Sequence, residues 1–476
     1  MNTLLTKSVS LALLLGMAGC ASLEPRQPEA DAGIPASWPV TPAEVAGIKV
    51  DGYAATGSAV ASETDWRAFF LDAKLEQVIA QALENNRDLR VAILNVERVR
   101  AQYRIQRSER LPSLGVNAQL QRSGGDNLSV ADVYSVGIGL ANFELDLFGR
   151  VRNLSEAALQ RYLAQEETRH SAQLSLIAEV ANAYLTLAAD RELQGIAQAT
   201  FQTYEESHGL TEKRYELGGV SALDLSQSRT LVEAARSDVA QYAGRVAADT
   251  NALTLLVGAP VAPDLLPKEL NVDVSGLVAV PAGLPSDVLL RRPDVQAAEH
   301  LLRGANANIG AARAAFFPSI SLTGSVGSAS NELSGLFESG SKMWNFMPQI
   351  NIPIFQGGRL RANLGMATAD RDIALAQYEK AIQTSFREVA DALAFTRTLA
   401  AQRVAQEALV AAATRADELS RARYDAGMDS YLTLLVAQRT LYTAKQSLLT
   451  TQLAEQSNRV TLYKVLGGGW KEGEDS

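Results

Sequence analysis

Two hydrophobic periods alternate along this chain. A stretch from about Leu75 to Arg110 reads as helix and stops before Pro112, whose ring cannot continue a helical hydrogen-bond ladder. The period then drops to two: Leu114, Val116, Ala118 and Leu120 alternate with Gly115, Asn117, Gln119 and Gln121. After a loop from Gly124 to Asp132, Tyr134, Val136, Ile138 and Leu140 share one face of a return strand. A helical run without internal proline follows from Arg150 to about Tyr215, roughly 100 Å at helical rise. Within it Leu174, Ile177, Ala181, Tyr184 and Ala188 step three and four apart, a coiled-coil seam. The run ends at Gly218-Gly219-Val220-Ser221, where glycine suits a left-handed cap and serine can cap the helix that returns.

The same grammar then occurs again. Helix Asp287 to Ala315 stops before Pro318. Ile320, Leu322 and Val326 then alternate with Ser319, Ser321, Thr323 and Ser325, and a loop spans Ser330 to Lys342. Ile350, Ile352 and Ile354 form one face of the return strand, against Gln349, Asn351 and Pro353. Arg359 to about Tyr424 is the second long helix, with Ile382, Phe386, Val389 and Leu393 as its seam. It turns at Gly427-Met428-Asp429-Ser430, and Leu434, Leu441 and Leu448 stand one heptad apart on the returning helix. Asp88 and Asp294, like Pro112 and Pro318, are 206 positions apart, whereas Arg150 and Arg359, like Tyr215 and Tyr424, are 209 apart. Four matches in one order make the chain a tandem repeat with small insertions between the copies.

The strands have the length and the apolar-polar alternation of membrane-spanning β-strands. Asn142 shifts the phase ahead of Phe143, Leu145 and Leu147, which predicts a bulge or the strand's exit from the bilayer. Two hairpins cannot build a sandwich of their own, and four strands are too few for a membrane barrel, whose smallest forms need about eight. Open sheet edges are not tolerated in lipid. The chain is therefore expected to pool its strands with other copies of itself.

The N-terminus adds an address. Residues 1–19 read as a secretory signal, with Lys7 in the basic region, Val9 to Leu15 as an apolar run too short to span a bilayer, and small residues ahead of Cys20. Met17-Ala18-Gly19-Cys20 resembles the bacterial lipobox, which makes Cys20 the expected site of lipid attachment; Ala21 in place of an aspartate points to the outer membrane. Several buried acyl chains make a stable anchor. Pro25, Pro28, Pro35, Pro39 and Pro42 then predict an extended segment. The expected organisation is signal 1–19, extended segment 20–65, first repeat 66–258, connector 259–285, second repeat 286–467 and tail 468–476. The first repeat holds a strand hairpin at 112–148, a long helix at 150–215 and a return helix at 221–257; the second holds them at 318–355, 359–424 and 430–466.

Composition narrows the function. A net charge of -9 with only 6% aromatic residues argues against a nucleic-acid partner, because phosphates have no basic stripe and bases no stacking platform to meet. The single cysteine excludes an intramolecular disulfide. His170, His208 and His300 lack metal-ligand spacing, and neither a phosphate loop nor a nucleophile elbow is present. No enzyme, metal or cofactor is expected beyond the covalent lipid on Cys20.

Leu284-Pro285-Ser286-Asp287-Val288-Leu289-Leu290-Arg291-Arg292-Pro293-Asp294-Val295 resembles the segment that opens the second half of the lipoprotein branch of outer-membrane efflux proteins. Trp66 through Ala92 and Ile352-Pro353-Ile354-Phe355-Gln356-Gly357-Gly358 fit the same pattern, so the resemblance covers essentially the whole mature chain. It implies an α+β membrane protein, a homotrimer whose pooled hairpins form a transmembrane β-barrel continuous with a periplasmic α-helical coiled-coil barrel. Such a duct is passive and exports drugs or other small molecules. A periplasmic adaptor protein would join it to an inner-membrane pump of the resistance-nodulation-division type. The alternative is the outer-membrane duct of a type I protein secretion system.

By position, the resemblance makes Gly218, Gly219, Val220, Ser221, Gly427, Met428, Asp429 and Ser430 adaptor-contact candidates. Leu432, Thr433, Val436, Asp224 and Tyr424 become candidates for the periplasmic gate. Leu432 matches an apolar constriction ring, and Asp224 and Tyr424 a pair that can hydrogen-bond between neighbouring hairpins. Val436 departs from the pattern, standing where members usually place an aspartate. Thr433 replaces a second acidic position, and Asp429 falls where some members have arginine. A tip without that carboxylate ring is expected to seal by apolar contact and to depend less on cations.

Overall fold

The computed structural model describes residues 23–36, 38, 44–45, 47–49, 65–126, 128–270 and 286–468. The predicted signal, Cys20, much of the extended segment, residues 271–285 of the connector and the tail from residue 469 lie outside these. Eleven elements carry the architecture: α1 (Ala73–Asn85), α2 (Arg87–Ser108), β1 (Leu114–Gly125), β2 (Leu128–Leu145), α3 (Arg150–Glu216), α4 (Ala222–Val257), α5 (Pro293–Ala314), β3 (Ser319–Ser330), β4 (Lys342–Asn351), α6 (Arg359–Asp425) and α7 (Tyr431–Val465). Among the described residues no helix is long and apolar enough to cross a membrane.

The chain divides into two units. The first comprises Met1–Ala32, Leu94–Glu167 and Gln296–Ala381 and contains a four-stranded antiparallel sheet in the order β1-β2-β3-β4. Its register aligns apolar residues in one row across all four strands, Val116 opposite Ile138, Ile138 opposite Val326 and Val326 opposite Trp344. All four are exposed, Val116 and Trp344 at 73% and 77%. The neighbouring row runs Asn117, Gly137, Gly327 and Met343 on the opposite face. There glycine is required by close approach, since a Cβ on Gly327 would lie 2.1 Å from the Val136 carbonyl oxygen.

The phase shift at Asn142 is a bulge: the β2–β3 register jumps between Leu140 and Phe143, Asn142 has φ 51°, and its N–H donates to Thr323 Oγ1 at 3.1 Å. Two expectations change. The first hairpin loop is short, because β1 extends to Gly125 and β2 begins at Leu128. The return strand ends at Asn351, so Ile352 and Ile354 lie beyond it; Pro353, with no N–H to donate, follows at once. Residues 23–32 have no regular structure; the segment starts on α5, where Asn306 Nδ2 donates to Glu24 Oε1 and to the Pro25 carbonyl at 2.9 and 2.8 Å, and reaches α6, where the Asp31 N–H donates to Glu379 Oε1 at 3.1 Å.

The second unit comprises Gly33–Ile93, Thr168–Val295 and Ile382–Ser476. Its core gathers Leu75, Val78 and Ile79 of α1, the seam of α3, Leu253 and Val257 of α4 and Tyr463 of α7, whose ring stacks on Phe69 at 4.0 Å. All five seam residues predicted on α3 are buried. The heptad predicted on α7 holds only at Leu434; Leu441 and Leu448 are half-buried, and the next fully buried leucine is Leu449. A helix of 3.6 residues per turn drifts off a strict heptad in this direction.

The helix predicted over 75–110 is broken at Asn86, which ends α1 and starts α2. Its Oδ1 accepts from the Leu89 N–H at 2.8 Å, and its Nδ2 donates to the Leu256 carbonyl at 2.7 Å, so one buried amide caps a helix and ties it to α4. Opposite it Gly258 closes α4 in the left-handed region, where a Cβ would meet the Asn85 carbonyl oxygen at 2.5 Å. Where α5 begins, Arg292 is buried and holds three partners: Asp294, Glu388 at 2.8 Å and the Val465 carbonyl at 2.7 Å.

Candidate functional site

The two helical turns are built alike. Gly218 and Gly427 take φ of 74° and 71°. The Gly219 N–H reaches back to the Arg214 carbonyl and the Met428 N–H to that of Arg423, at 2.7 and 2.9 Å, the six-residue closure of a Schellman turn. Beyond the glycines they diverge. Ser221 Oγ accepts from the Asp224 N–H at 3.1 Å while Asp224 Oδ2 accepts from the Ser221 N–H and hydroxyl, a complete capping box. Ser430 caps no backbone group with its side chain. Its Oγ lies 3.2 Å from Thr433 Oγ1. Serine caps the returning helix at Ser221 alone; at the second turn Ser430 makes no side-chain cap bond, and Thr433 has no carboxylate with which to reach back to it.

Tyr424 is 8% exposed. Its ring packs edge-on against Tyr431 at 5.6 Å, with Leu434 in the same cluster and the Arg214 guanidinium over the ring at 4.6 Å. Its hydroxyl has no partner among the described residues. Within one chain Asp224 is bonded to Ser221, so the structure forms no Asp224–Tyr424 hydrogen bond. Leu432 and Val436, one turn apart on α7, are exposed at 53% and 55%, and Thr433 beside them is exposed too. Asp429 is clasped by Arg423, which holds its carboxyl below the usual range.

Sequence reasoning missed a third group of residues. Burial, and then the neighbouring Tyr424, push the Tyr431 phenol up to about 12, and Ser228 hydrogen-bonds it. Ser228 Oγ also lies 2.7 Å from His208 Nδ1 and donates to the Leu225 carbonyl at 2.8 Å. His208 of α3, Ser228 of α4 and Tyr431 of α7 thus tie three helices together. The three positions share no sequence spacing, so the only available signal was an unexplained histidine. His300 is likewise bonded, to Gln160 at 2.7 Å. Among the described residues no cluster of histidine, cysteine and acidic side chains could hold a metal.

The repeat, the exposed sheet and the paired turns can be set against known proteins. The family model for outer membrane efflux proteins matches residues 78–259 and again 284–468. The chain belongs to the outer membrane efflux protein family. Curated relatives agree. A probable efflux pump outer membrane protein, TtgC of Pseudomonas putida, is 48% identical over 98% of this chain and 97% of its own length. Outer membrane protein OprJ of Pseudomonas aeruginosa is 42% identical over 98% and 96%. Among solved structures, the open state of the MtrE outer membrane channel of Neisseria gonorrhoeae superposes with a TM-score of 0.86 at 39% identity, covering 95% of this chain and 99% of that one. A membrane protein of Pseudomonas aeruginosa gives 0.86 at 40% identity, covering 94% and 100%. An outer membrane efflux protein is a channel component and not an enzyme, and the four-stranded sheet, long helices and two-fold repeat are the fold of those channels.

Proposed function

We propose that three copies of this chain form the passive exit duct of a tripartite efflux pump. In this reading Cys20 carries the lipid, and a periplasmic adaptor contacts the turns at 218–221 and 427–430 and couples them to an inner-membrane pump of the resistance-nodulation-division type. One observation carries it. The sheet has two free edges, β1 and β4, and both strands are exposed along their whole length. Free backbone edges are untenable in lipid, so β4 of one copy must pair with β1 of the next. Three copies supply enough strands to close a barrel, whereas two supply only the minimum for the smallest. The exposed row from Val116 to Trp344 then faces lipid.

The cargo follows from the relatives. Curated relatives are named for toluene and antibiotic efflux, and a drug or other small molecule is the proposed cargo here. A wide passive conduit gains directionality from the pump and need not recognise what it carries. Deleting the gene should raise accumulation of solvents and drugs, and deleting the cognate pump as well should add nothing. Unchanged small-molecule accumulation, together with lost secretion of a protein, would overturn the reading in favour of a type I secretion duct. Replacing Cys20 with Ser should abolish labelling by radioactive palmitate.

A further inference from the structure

The second unit contains a cavity of about 550 Å³ that the duct reading does not use. It is lined by α3, the segment after α4, α6 and α7. A volume of this order is that of a small-molecule site. Two of its lining side chains are 5% exposed and have polar atoms without a hydrogen-bond partner among the described residues: the Tyr204 hydroxyl, and both the nitrogen and the oxygen of the Gln438 amide. Buried polar groups are almost always satisfied, and leaving them unpaired costs on the order of 1–3 kcal/mol each. These groups offer two donor groups, the hydroxyl and the amide nitrogen, and two acceptor oxygens, all at one cavity.

The charges around the cavity do not cancel. Arg191 and Glu192 are already spent on the following segment, Arg191 donating to the Pro267 carbonyl and Glu192 Oε2 accepting from the Leu270 N–H at 3.1 Å. Lys268 and Glu269 offset each other. That leaves Asp417 facing two cations, Arg421 and Lys445. Over the lining side chains four cations, Arg191, Lys268, Arg421 and Lys445, stand against three carboxylates, Glu192, Glu269 and Asp417, a surplus of one positive charge, with Glu418 acting on Asp417 from outside the lining. Ile196 and Leu441 complete the lining with apolar surface.

We propose that this cavity binds a small organic monoanion, a carboxylate held by Arg421 and Lys445 whose apolar body lies on Ile196 and Leu441, with Tyr204 and Gln438 hydrogen-bonding it. The proposal is independent of which pump the chain serves.

Benzoate is the probe, with benzamide as its neutral isostere and inorganic phosphate as a purely mineral anion. Equilibrium dialysis against the purified full-length protein in detergent should show saturable benzoate binding and little binding of benzamide or phosphate. Arg421→Gln should weaken benzoate by about tenfold, the loss of one charge-assisted contact. Gln438→Leu should weaken it comparably while leaving the melting temperature unchanged or raised, because it removes a buried amide without a partner. If Gln438→Leu fails to fold, Arg421→Gln decides alone. Equal retention of benzoate and benzamide, benzoate binding unaltered by Arg421→Gln, or a crystal grown with benzoate that shows only water between Tyr204 and Gln438 would each overturn the assignment.

Discussion

Arg423 and Asp429 clasp each other across the second helical turn, Nε to Oδ2 at 2.6 Å and Nη2 to Oδ1 at 2.9 Å. The two-pronged geometry spans the left-handed Gly427 and ties the last turn of α6 to the residue before the cap of α7. The first turn has no counterpart, since its equivalent position is Val220.

Asp429→Asn should therefore loosen the second turn and leave the first unaffected, seen as faster hydrogen exchange at residues 426–430 but not at 217–221. The Arg423 partner lowers the Asp429 carboxyl, so the stabilisation is present above the ordinary carboxylate pKa of about 4 and is lost as pH falls through the lowered value. The protection factor at this turn, exchange corrected for its intrinsic base catalysis, should not change between pH 5 and 8. Protection should fall with added salt, because the pair is exposed and screened.

The capping asymmetry makes a second prediction. Asp224→Ala removes half of the first box and should cost about 1 kcal/mol locally. Thr433→Asp would complete a box with Ser430 and should stabilise the start of α7 by about 0.5 kcal/mol. Amide exchange of the first turns of α4 and α7 reads both. If Thr433→Asp leaves α7 unchanged, the Ser430–Thr433 contact already does the work of a cap.

Much of this was legible because repetition and periodicity are local. The strands, the long helices and the α3 seam each declare themselves within a dozen residues, and the bulge at Asn142 shows as a change of phase. What could not be read depends on partners far away in sequence. The break at Asn86 carries neither glycine nor proline; its cue is an amide that makes sense only once the Leu256 carbonyl, 170 positions on, is beside it. The His208–Ser228–Tyr431 tie spans three helices, and the cavity at Tyr204 and Gln438 draws on four segments. The gate candidates were placed by resemblance. One chain bonds Asp224 to Ser221, a pairing that the Ser-x-x-Asp spacing of a capping box carries, and leaves the Tyr424 hydroxyl without a partner among the described residues, which no spacing shows.

Asp190 and Asp249 face each other on α3 and α4. Burial, and then the neighbouring Asp249, raise the Asp190 carboxyl to about 6, with Arg245 opposing. An acid whose folded pKa is raised binds more protons folded than unfolded, so stability should increase as pH falls from about 7 through 6 and level off near the unfolded value of about 4. Asp190→Asn should raise the melting temperature at pH 8 and lose that advantage below pH 5. An equal gain at both pH values would mean that the benefit is packing and not charge.

In the sheet, Gly327→Val should prevent closure of the β2–β3 pair, because the added carbon has no room beside Val136 and Gly137. Overpacking of this kind costs about 1–3 kcal/mol at least. Gly115→Ser is the control, since a Cβ there meets nothing within 4 Å. Heat-resistant trimer on gels should be lost in the first variant and kept in the second.

Val436 supplies the sharpest test of the proposed gate. Exposed beside Leu432 on α7, it presents an apolar surface where a carboxylate would gather cations. A symmetric trimer repeats each residue three times, so Val436→Asp would place three like charges around one axis, where mutual repulsion raises their pKa values and favours a bound cation. Planar-bilayer conductance of the native protein should be nearly indifferent to millimolar divalent cations added on the periplasmic side, whereas Val436→Asp should acquire a block that fades as the carboxylates protonate at low pH. Strong divalent block of the native channel would mean that other acidic residues line the aperture, and that Leu432 and Val436 do not seal it.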